Sequence, residues 1–227
     1  GESEVLLDID AILSIASGAK VVVYDAPFTG ASSFQAVFSA AINGNSTVIS
    51  NSWAACEDQV SAADAQGIDS LFQTASMQGI TIVNGAGDTG STCLDGSPNT
   101  ISVPADSPNA TAVGGSSLTS GPTYTYGSET WWNGTLDTPP TGQGGFGSSN
   151  YFARPSYQAS VNPGPMRSIP DVVDSADPAN GVAICQEDAG GCPTGLLYGG
   201  TSVAAPQWAA YTAILNEAVG HNIGFLN

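Results

Sequence analysis

Ser202 stands in the string Gly199-Gly-Thr-Ser-Val-Ala-Ala-Pro206, between a strand-like Leu196-Leu-Tyr198 and a helix that the pattern starts near Thr201 and carries to about Ala218. A serine at that junction is well placed as a nucleophile. A helix N-terminus offers unpaired N–H groups and the positive end of the dipole to a developing oxyanion. The two glycines let backbone and substrate approach closely. Pro206 lacks the N–H that would bond the Ser202 carbonyl, so the first turn is loosened just beyond the hydroxyl. Glu4 and Asp8 lie four residues apart, on one face of a helix. Two close carboxyls do not both ionise cheaply; they share a proton, and one pKa rises. Such a pair can accept a serine proton in acid, where a histidine would already be charged. A third carboxyl, Asp88, sits in Asn84-Gly-Ala-Gly-Asp-Thr-Gly90, directly after Thr81-Ile-Val83. Taken singly, each feature has an ordinary reading: a serine cap, acidic residues in a first helical turn, an aspartate in a glycine-rich turn.

The elements that would carry these residues follow from the hydrophobic period. Val5, Ile9, Ile12 and Ala16 recur at helical spacing and predict a helix over residues 4–17, with Ser3 as its cap and Gly18 as its end. Lys20-Val-Val-Val-Tyr-Asp25 reads as a buried strand. A second helix is predicted over 32–41, a strand over 47–50, a third helix over 59–78 and a strand over 81–83. This βαβα alternation argues a parallel sheet with helices on its faces. From about residue 100 to 165 Gly, Pro, Ser and Thr dominate, with short strand-like pieces at 101–103, 111–114 and 122–132. Such long-loop territory is often where a substrate is held. Residues 181–186 and 195–199 are expected to pair as a hairpin.

The chain has 227 residues, 41% of them hydrophobic, enough for one large domain with a sizeable core. No apolar run reaches the ~18 residues of a membrane span. The opening Gly1-Glu2-Ser3-Glu4 reads as a mature or trimmed start without a signal peptide. Twenty acidic residues face three basic ones, Lys20, Arg154 and Arg167, for a net charge of −17. That balance excludes a nucleic-acid surface, which needs cations to displace counterions. It fits either solubility and salt adaptation or adaptation to acid, where protonated carboxyls and few bases leave little self-repulsion. Cys56, Cys93, Cys185 and Cys192 form an even set, which points to disulfides and an oxidising compartment. Cys56 follows the strand end at Trp53 and Cys93 follows the strand end at Asp88, so adjacent parallel strands would bring them together. Cys185 and Cys192 flank a short loop that a bridge would close into a ring. The cysteines lack metal-ligand spacing and the one histidine, His221, is remote from them, which argues against zinc and leaves no metal ligand to name in this chain. Sequons at Asn45, Asn109 and Asn133 give weak support for secretion.

The string around Ser202 resembles the nucleophile segment of the subtilase superfamily. A Ser-His-Asp triad in subtilisin order needs a histidine before the serine, yet His221 follows Ser202 by 19 residues. Asp88 falls where the resemblance places an oxyanion-donating asparagine; a protonated carboxylic acid donates there, and an ionised one repels. Glu4-x-x-x-Asp8, Asp88 and Gly-Gly-Thr-Ser202 together resemble the sedolisin family of serine-carboxyl peptidases. Glu4-Val-Leu-Leu-Asp-Ile-Asp10, Ser50-Asn-Ser-Trp53, Pro104-Ala-Asp-Ser-Pro108, Gly114-Gly115, Gly144-Gly-Phe-Gly-Ser148, Pro170-Asp-Val-Val173 and Asp177-Pro-Ala-Asn-Gly181 extend the likeness over nearly the whole chain. Asp10 stands where the family has Glu, and Ala54-Ala55 where it has Gly-Gly.

The resemblance implies an α/β fold, a subtilisin-like three-layer sandwich around a central, mostly parallel sheet. Residues 1–227 would be the catalytic domain, shortened at both ends relative to the family. Ser202 would be the nucleophile, Glu4 the base, Asp8 its proton-sharing partner and Asp88 the oxyanion donor; Ser52, Trp53, Gly144 and Gly145 would line the substrate cleft. The implied activity is peptide-bond hydrolysis in acid, as an endopeptidase, with a tripeptidyl exopeptidase or an inactive fold-keeping domain as alternatives. Polypeptides would be the substrates, and remaining segments of the same polypeptide would cover the exposed ends of the core. A structural calcium, with ligands outside this chain, and a secreted or acidic lysosome-like location are also implied.

Overall fold

A computed structural model describes residues 1–138 and 140–227. The helices are α1 (Glu2–Ile15), α2 (Ala31–Asn43), α3 (Ala62–Met77) and α4 (Thr201–Val219). The strands are β1 (Val48–Asn51), β2 (Ala55–Cys56), β3 (Thr81–Gly85), β4 (Ser102–Val103), β5 (Thr111–Ser120), β6 (Tyr126–Trp131), β7 (Asn133–Gly134), β8 (Gly142–Gln143), β9 (Gly147–Ala153), β10 (Met166–Ile169) and β11 (Val172–Ser175). The central sheet runs β1-β3-β5-β11, all parallel, with β6 antiparallel on the far half of β5. Asn51 of β1 lies opposite Asn84 of β3, so the chain leaves both strands at the same edge. That edge carries the turns of Ser52-Trp53 and of Asp88.

The period of two along the strands builds the two cores. Ile49 and Ile82 face one side and pack with Phe34 and Phe38 of α2 and Ile68 and Phe72 of α3. Their neighbours Val48 and Val83 face the other side and meet Ala204, Ala205 and Ala209 of α4. Alternate residues of one strand therefore serve opposite faces, which makes the molecule a three-layer sandwich. The small alanines bring α4 close to the sheet, and α1 packs outside it against α4.

Three expectations are corrected. Lys20–Asp25 forms no strand: Val22 and Val23 stand about half exposed, at 53% and 51%, and only Tyr24 packs against the α2–α3 core. An apolar run is a buried strand only where a neighbouring strand takes its N–H and C=O groups, and this run has no ladder partner among the described residues. Ser3 lies inside α1, which is preceded by Gly1 without a side-chain cap and closes at Ala16 ahead of Gly18. The hairpin over 181–199 is reduced to two isolated bridges, Val182 with Tyr198 and Gln186 with Gly191. Positive-φ residues Gly190 and Gly191 turn the chain between them.

Candidate active site

The strand edge, the start of α4 and the first turns of α1 meet at one place. Glu4 comes up beside the Ser202 side chain, close enough for the serine to lower its pKa, and its Oε1 is buried without a hydrogen-bond partner. One turn along α1, Asp8 Oδ1 accepts from Ser52 Oγ at 2.6 Å. Ser52 arrives there because Asn51 shapes the turn after β1: its Nδ2 donates to Trp53 O at 2.7 Å and to Asn84 Oδ1 of β3 at 3.0 Å. Ser52 Oγ also lies 3.4 Å from the Ser202 carbonyl, the group that Pro206 leaves without its helical donor. While Asp8 is ionised the single Ser52 proton belongs to the shorter contact. Once Asp8 is protonated it can donate to Ser52, which frees the serine proton for the Ser202 carbonyl.

On the other side of Ser202, Asp88 Oδ1 accepts from Thr201 N at 2.7 Å and from Thr201 Oγ1 at 2.9 Å. Gly87 N donates in turn to Thr201 Oγ1 at 3.1 Å, so the Asp88 turn and the first residue of α4 form one unit. Gly200 has no substitute at this junction: its φ is +101°, and a Cβ would lie 2.6 Å from Asp88 Oδ2. With Oδ1 accepting two donors, Oδ2 is the oxygen left to carry a proton. The Thr201 N–H is taken by Asp88 and the Val203 N–H by Gly200 O at 3.0 Å, with the Ser202 N–H between them.

All three carboxyls are held above their ordinary range. Burial pushes up the Glu4 carboxyl, against the lowering effect of the Ser202 hydroxyl beside it, and the negative Asp88 adds to the rise. Burial takes Asp8 to about 7, opposed by the Ser52 bond and helped by the neighbouring Glu4. Asp88 is raised by burial although the two Thr201 donors favour its ionised form. The site thus keeps acids neutral at pH values where an exposed carboxyl would have ionised.

Trp53 is 52% exposed beside the site. Gly144 and Gly145, expected to line the cleft, are buried. Gly145 N donates to Gly87 O at 2.7 Å and Gly144 N to Trp132 O at 3.0 Å, so the pair braces the Asp88 turn from behind. A Cβ on Gly145 would fall 2.1 Å from Ala86 O, and that close approach is why the position holds glycine. His221 lies past the C-terminal end of α4, with its Nδ1 3.2 Å from Val219 O. At ~1.5 Å of rise per residue, the 19 positions between it and Ser202 amount to roughly 28 Å. Cys56–Cys93 and Cys185–Cys192 are both bonded. The one grouping of metal-type ligands among the described residues is Cys56, Asp58 and Cys93, and a disulfide does not supply thiolate ligands.

Sequence reasoning passed over Thr201, Asn51 and Asn84, whose polar side chains hold the site's backbone. It also passed over a second set of carboxyls. Glu57 and Asp106 are buried as neighbours, close to Asp69. Glu57 accepts from Ser149 Oγ and from Asn150 N, the latter at 2.7 Å, and Asp106 Oδ2 has no donor. Burial and the adjacent Glu57 push Asp106 up to about 8.

The subtilase family model matches residues 6–222, and the chain belongs to that family. It is 36% identical to kumamolisin of Bacillus sp. (strain MN-32) over 100% of this chain and 41% of the relative. It is 34% identical to sedolisin of Pseudomonas sp. (strain 101) over 99% of this chain and 40% of the relative. A solved structure of Pseudomonas sedolisin, a serine-carboxyl proteinase complexed with two molecules of pseudo-iodotyrostatin, superposes with a TM-score of 0.87 at 32% identity, covering 99% of this chain and 64% of that one. The chain therefore spans about two fifths of the length of the curated relatives it matches.

Proposed function

We propose that this protein is a serine-carboxyl peptidase that cleaves polypeptides in acid, as an endopeptidase. The observation that carries the reading is the convergence of Glu4, Asp8 and Asp88 on the turn that bears Ser202, with the only histidine out of reach. Ser202 Oγ attacks the scissile carbonyl carbon while its proton passes to Glu4. The C–N bond breaks as Glu4 returns that proton to the leaving amine, and water then hydrolyses the ester by the same route in reverse. Asp8 shares the proton of the pair and keeps Glu4 basic by holding its own. Protonated Asp88 Oδ2 and the Ser202 N–H donate to the tetrahedral oxyanion. Trp53 offers substrate an apolar wall and Ser52 serves the carboxyl pair; Gly144 and Gly145 act through the turn they support. Peptide hydrolysis at pH 3 to 5, and its loss by about 10⁴-fold or more in Ser202→Ala, is the expected result. Hydrolysis retained by that variant would remove the nucleophile.

The two disulfides support secretion. Tyr211, Ile214, Leu215 and Val219 of α4 and Leu13 of α1 form an exposed apolar face, which we assign to further segments of the same polypeptide. A structural calcium, as the family resemblance implies, would be held by residues outside this chain.

A further inference from the structure

We propose that Asp10 is a positioning residue, whose grip on the Cys185 N–H fixes the rotation of α1 and so holds Glu4 against Ser202 and Asp8 against Ser52. The proposal rests on the peptidase reading of that site. Its starting point is the set of polar side-chain tethers joining α1 to the rest of the described residues. Two belong to the proposed working site, the close approach of Glu4 to Ser202 and the Ser52 hydrogen bond to Asp8. The third is Asp10 Oδ2, which accepts from Cys185 N at 2.8 Å.

Helical geometry assigns the three tethers different tasks. At about 100° per residue, Asp8 lies roughly 40° around the axis from Glu4, while Asp10 lies roughly 160° from Asp8, on the opposite flank. Leu7 falls between Glu4 and Asp10 on that flank. There it packs in a small buried cluster with Ile184 and Val203, at 2%, 1% and 2% exposure. Ile184 adjoins Cys185, and Val203 adjoins the nucleophile. The loop after Val182 is closed by the Cys185–Cys192 bridge and by the Val182–Tyr198 pairing, and then leads directly into Gly199-Gly-Thr-Ser202. One loop thus touches the base helix through Asp10 and Leu7 and the nucleophile helix through Val203.

The apolar cluster opposes lifting of α1 but has no directional preference, so it resists rotation weakly. A hydrogen bond on the far flank supplies the direction. Side-chain tips travel at about 5–6 Å from a helix axis, so a rotation of about 10° moves the Glu4 carboxyl by about 1 Å. A displacement of that size costs on the order of 100-fold in rate. Asp10 touches neither substrate nor the reacting atoms; it acts through α1.

The test compares Asp10→Ala and Asp10→Asn in the full protein, with Ser202→Ala as the control for the peptidase reading. Asparagine keeps an acceptor oxygen of the same reach and removes the charge. Asp10→Ala is expected to lower kcat by about 10- to 100-fold with KM within about threefold, and Asp10→Asn to restore it. The pH profile is a second readout: as the Ser52 bond to Asp8 loosens, its lowering effect is lost and the alkaline limb moves up in Asp10→Ala but not in Asp10→Asn. Wild-type kcat and profile in Asp10→Ala overturn the proposal, as does an equal loss in both variants, which would make charge the operative property. Should Asp10→Ala not fold, Asp10→Asn decides: wild-type kcat and profile support the grip, and a loss overturns it. If Ser202→Ala keeps activity, the peptidase reading fails first, a result distinct from any of these.

Discussion

Asp88 and Ser52 are single positions where the proposed chemistry and the observed bonds make signed predictions. Asp88 Oδ1 is saturated by Thr201, so oxyanion donation needs a proton on Oδ2. Asp88→Asn supplies N–H there at every pH and is expected to keep activity while extending it toward neutrality. Asp88→Ala is expected to lose about 100- to 1,000-fold in kcat at all pH values. Equal behaviour of the two in a kcat/KM–pH profile would remove Asp88 from the oxyanion site. Ser52→Ala deletes the donor that lowers Asp8, so the Asp8 pKa is expected to climb above about 7, readable by carbon NMR titration of the carboxyl. A fall would mean that the hydrogen bond favours the neutral acid. Glu4, Asp8, Asp88 and Ser202, the side chains given the proposed chemistry, stood out in the sequence because their types and spacings are unusual in combination. Asn51, Asn84 and Thr201 were not, because a lone polar residue at a strand end or helix start has too many ordinary uses to single out.

At the scale of elements, legibility followed how far each segment's pattern decides its own structure. α2, α3 and α4 were expected at 32–41, 59–78 and 201–218 and occur within a few residues of those limits, since each carries a repeated apolar face. The valines at 21–23 look like a strand in isolation, yet a strand is a relation to a neighbour, and among the described residues none lies beside them. Gly144 and Gly145 show the same limit from the other side. A glycine pair signals close approach but not what approaches, and here it is the backbone of Ala86 and Gly87. The junction between β3 and α4 depends most on one such approach. Gly200→Ala places a methyl group against Asp88 Oδ2 and strains a φ of +101°. It is expected to lower stability by about 1–3 kcal/mol and to reduce kcat more than it raises KM. Thermal unfolding and steady-state kinetics check this together, and wild-type values in both would show that the junction accommodates a side chain.

The whole molecule carries −17 at neutrality with one ion pair among the described residues, Arg167 with Asp171. Its response to pH therefore rests on buried carboxyls, and their pKa values run opposite to the usual direction. Asp8 is raised to about 7 and Asp106 to about 8, with Glu4, Asp88 and Asp174 raised as well, in each case mainly by burial. A raised carboxyl keeps its proton in the folded state after the unfolded chain has released it. Between an unfolded pKa near 3.9 and the folded value, the native state binds more protons, so stability falls as pH rises. Each such group contributes a slope of up to about 1.4 kcal/mol per pH unit across that window. The full benefit is present below about pH 4 and is lost through pH 7 to 8. The scarcity of bases works with this, because acid neutralises the carboxyls while adding little positive repulsion. The melting temperature is accordingly expected to be higher at pH 4 than at pH 8. Asp106→Asn tests the cause, since its amide donates to Glu57 as the protonated acid would and does not titrate. That variant should fold, and its melting temperature should fall less steeply between pH 5 and 8 than that of the wild type. An unchanged slope would show that the Glu57–Asp106 pair does not set the acid preference, and a melting temperature rising toward pH 8 would refute the account for the molecule as a whole.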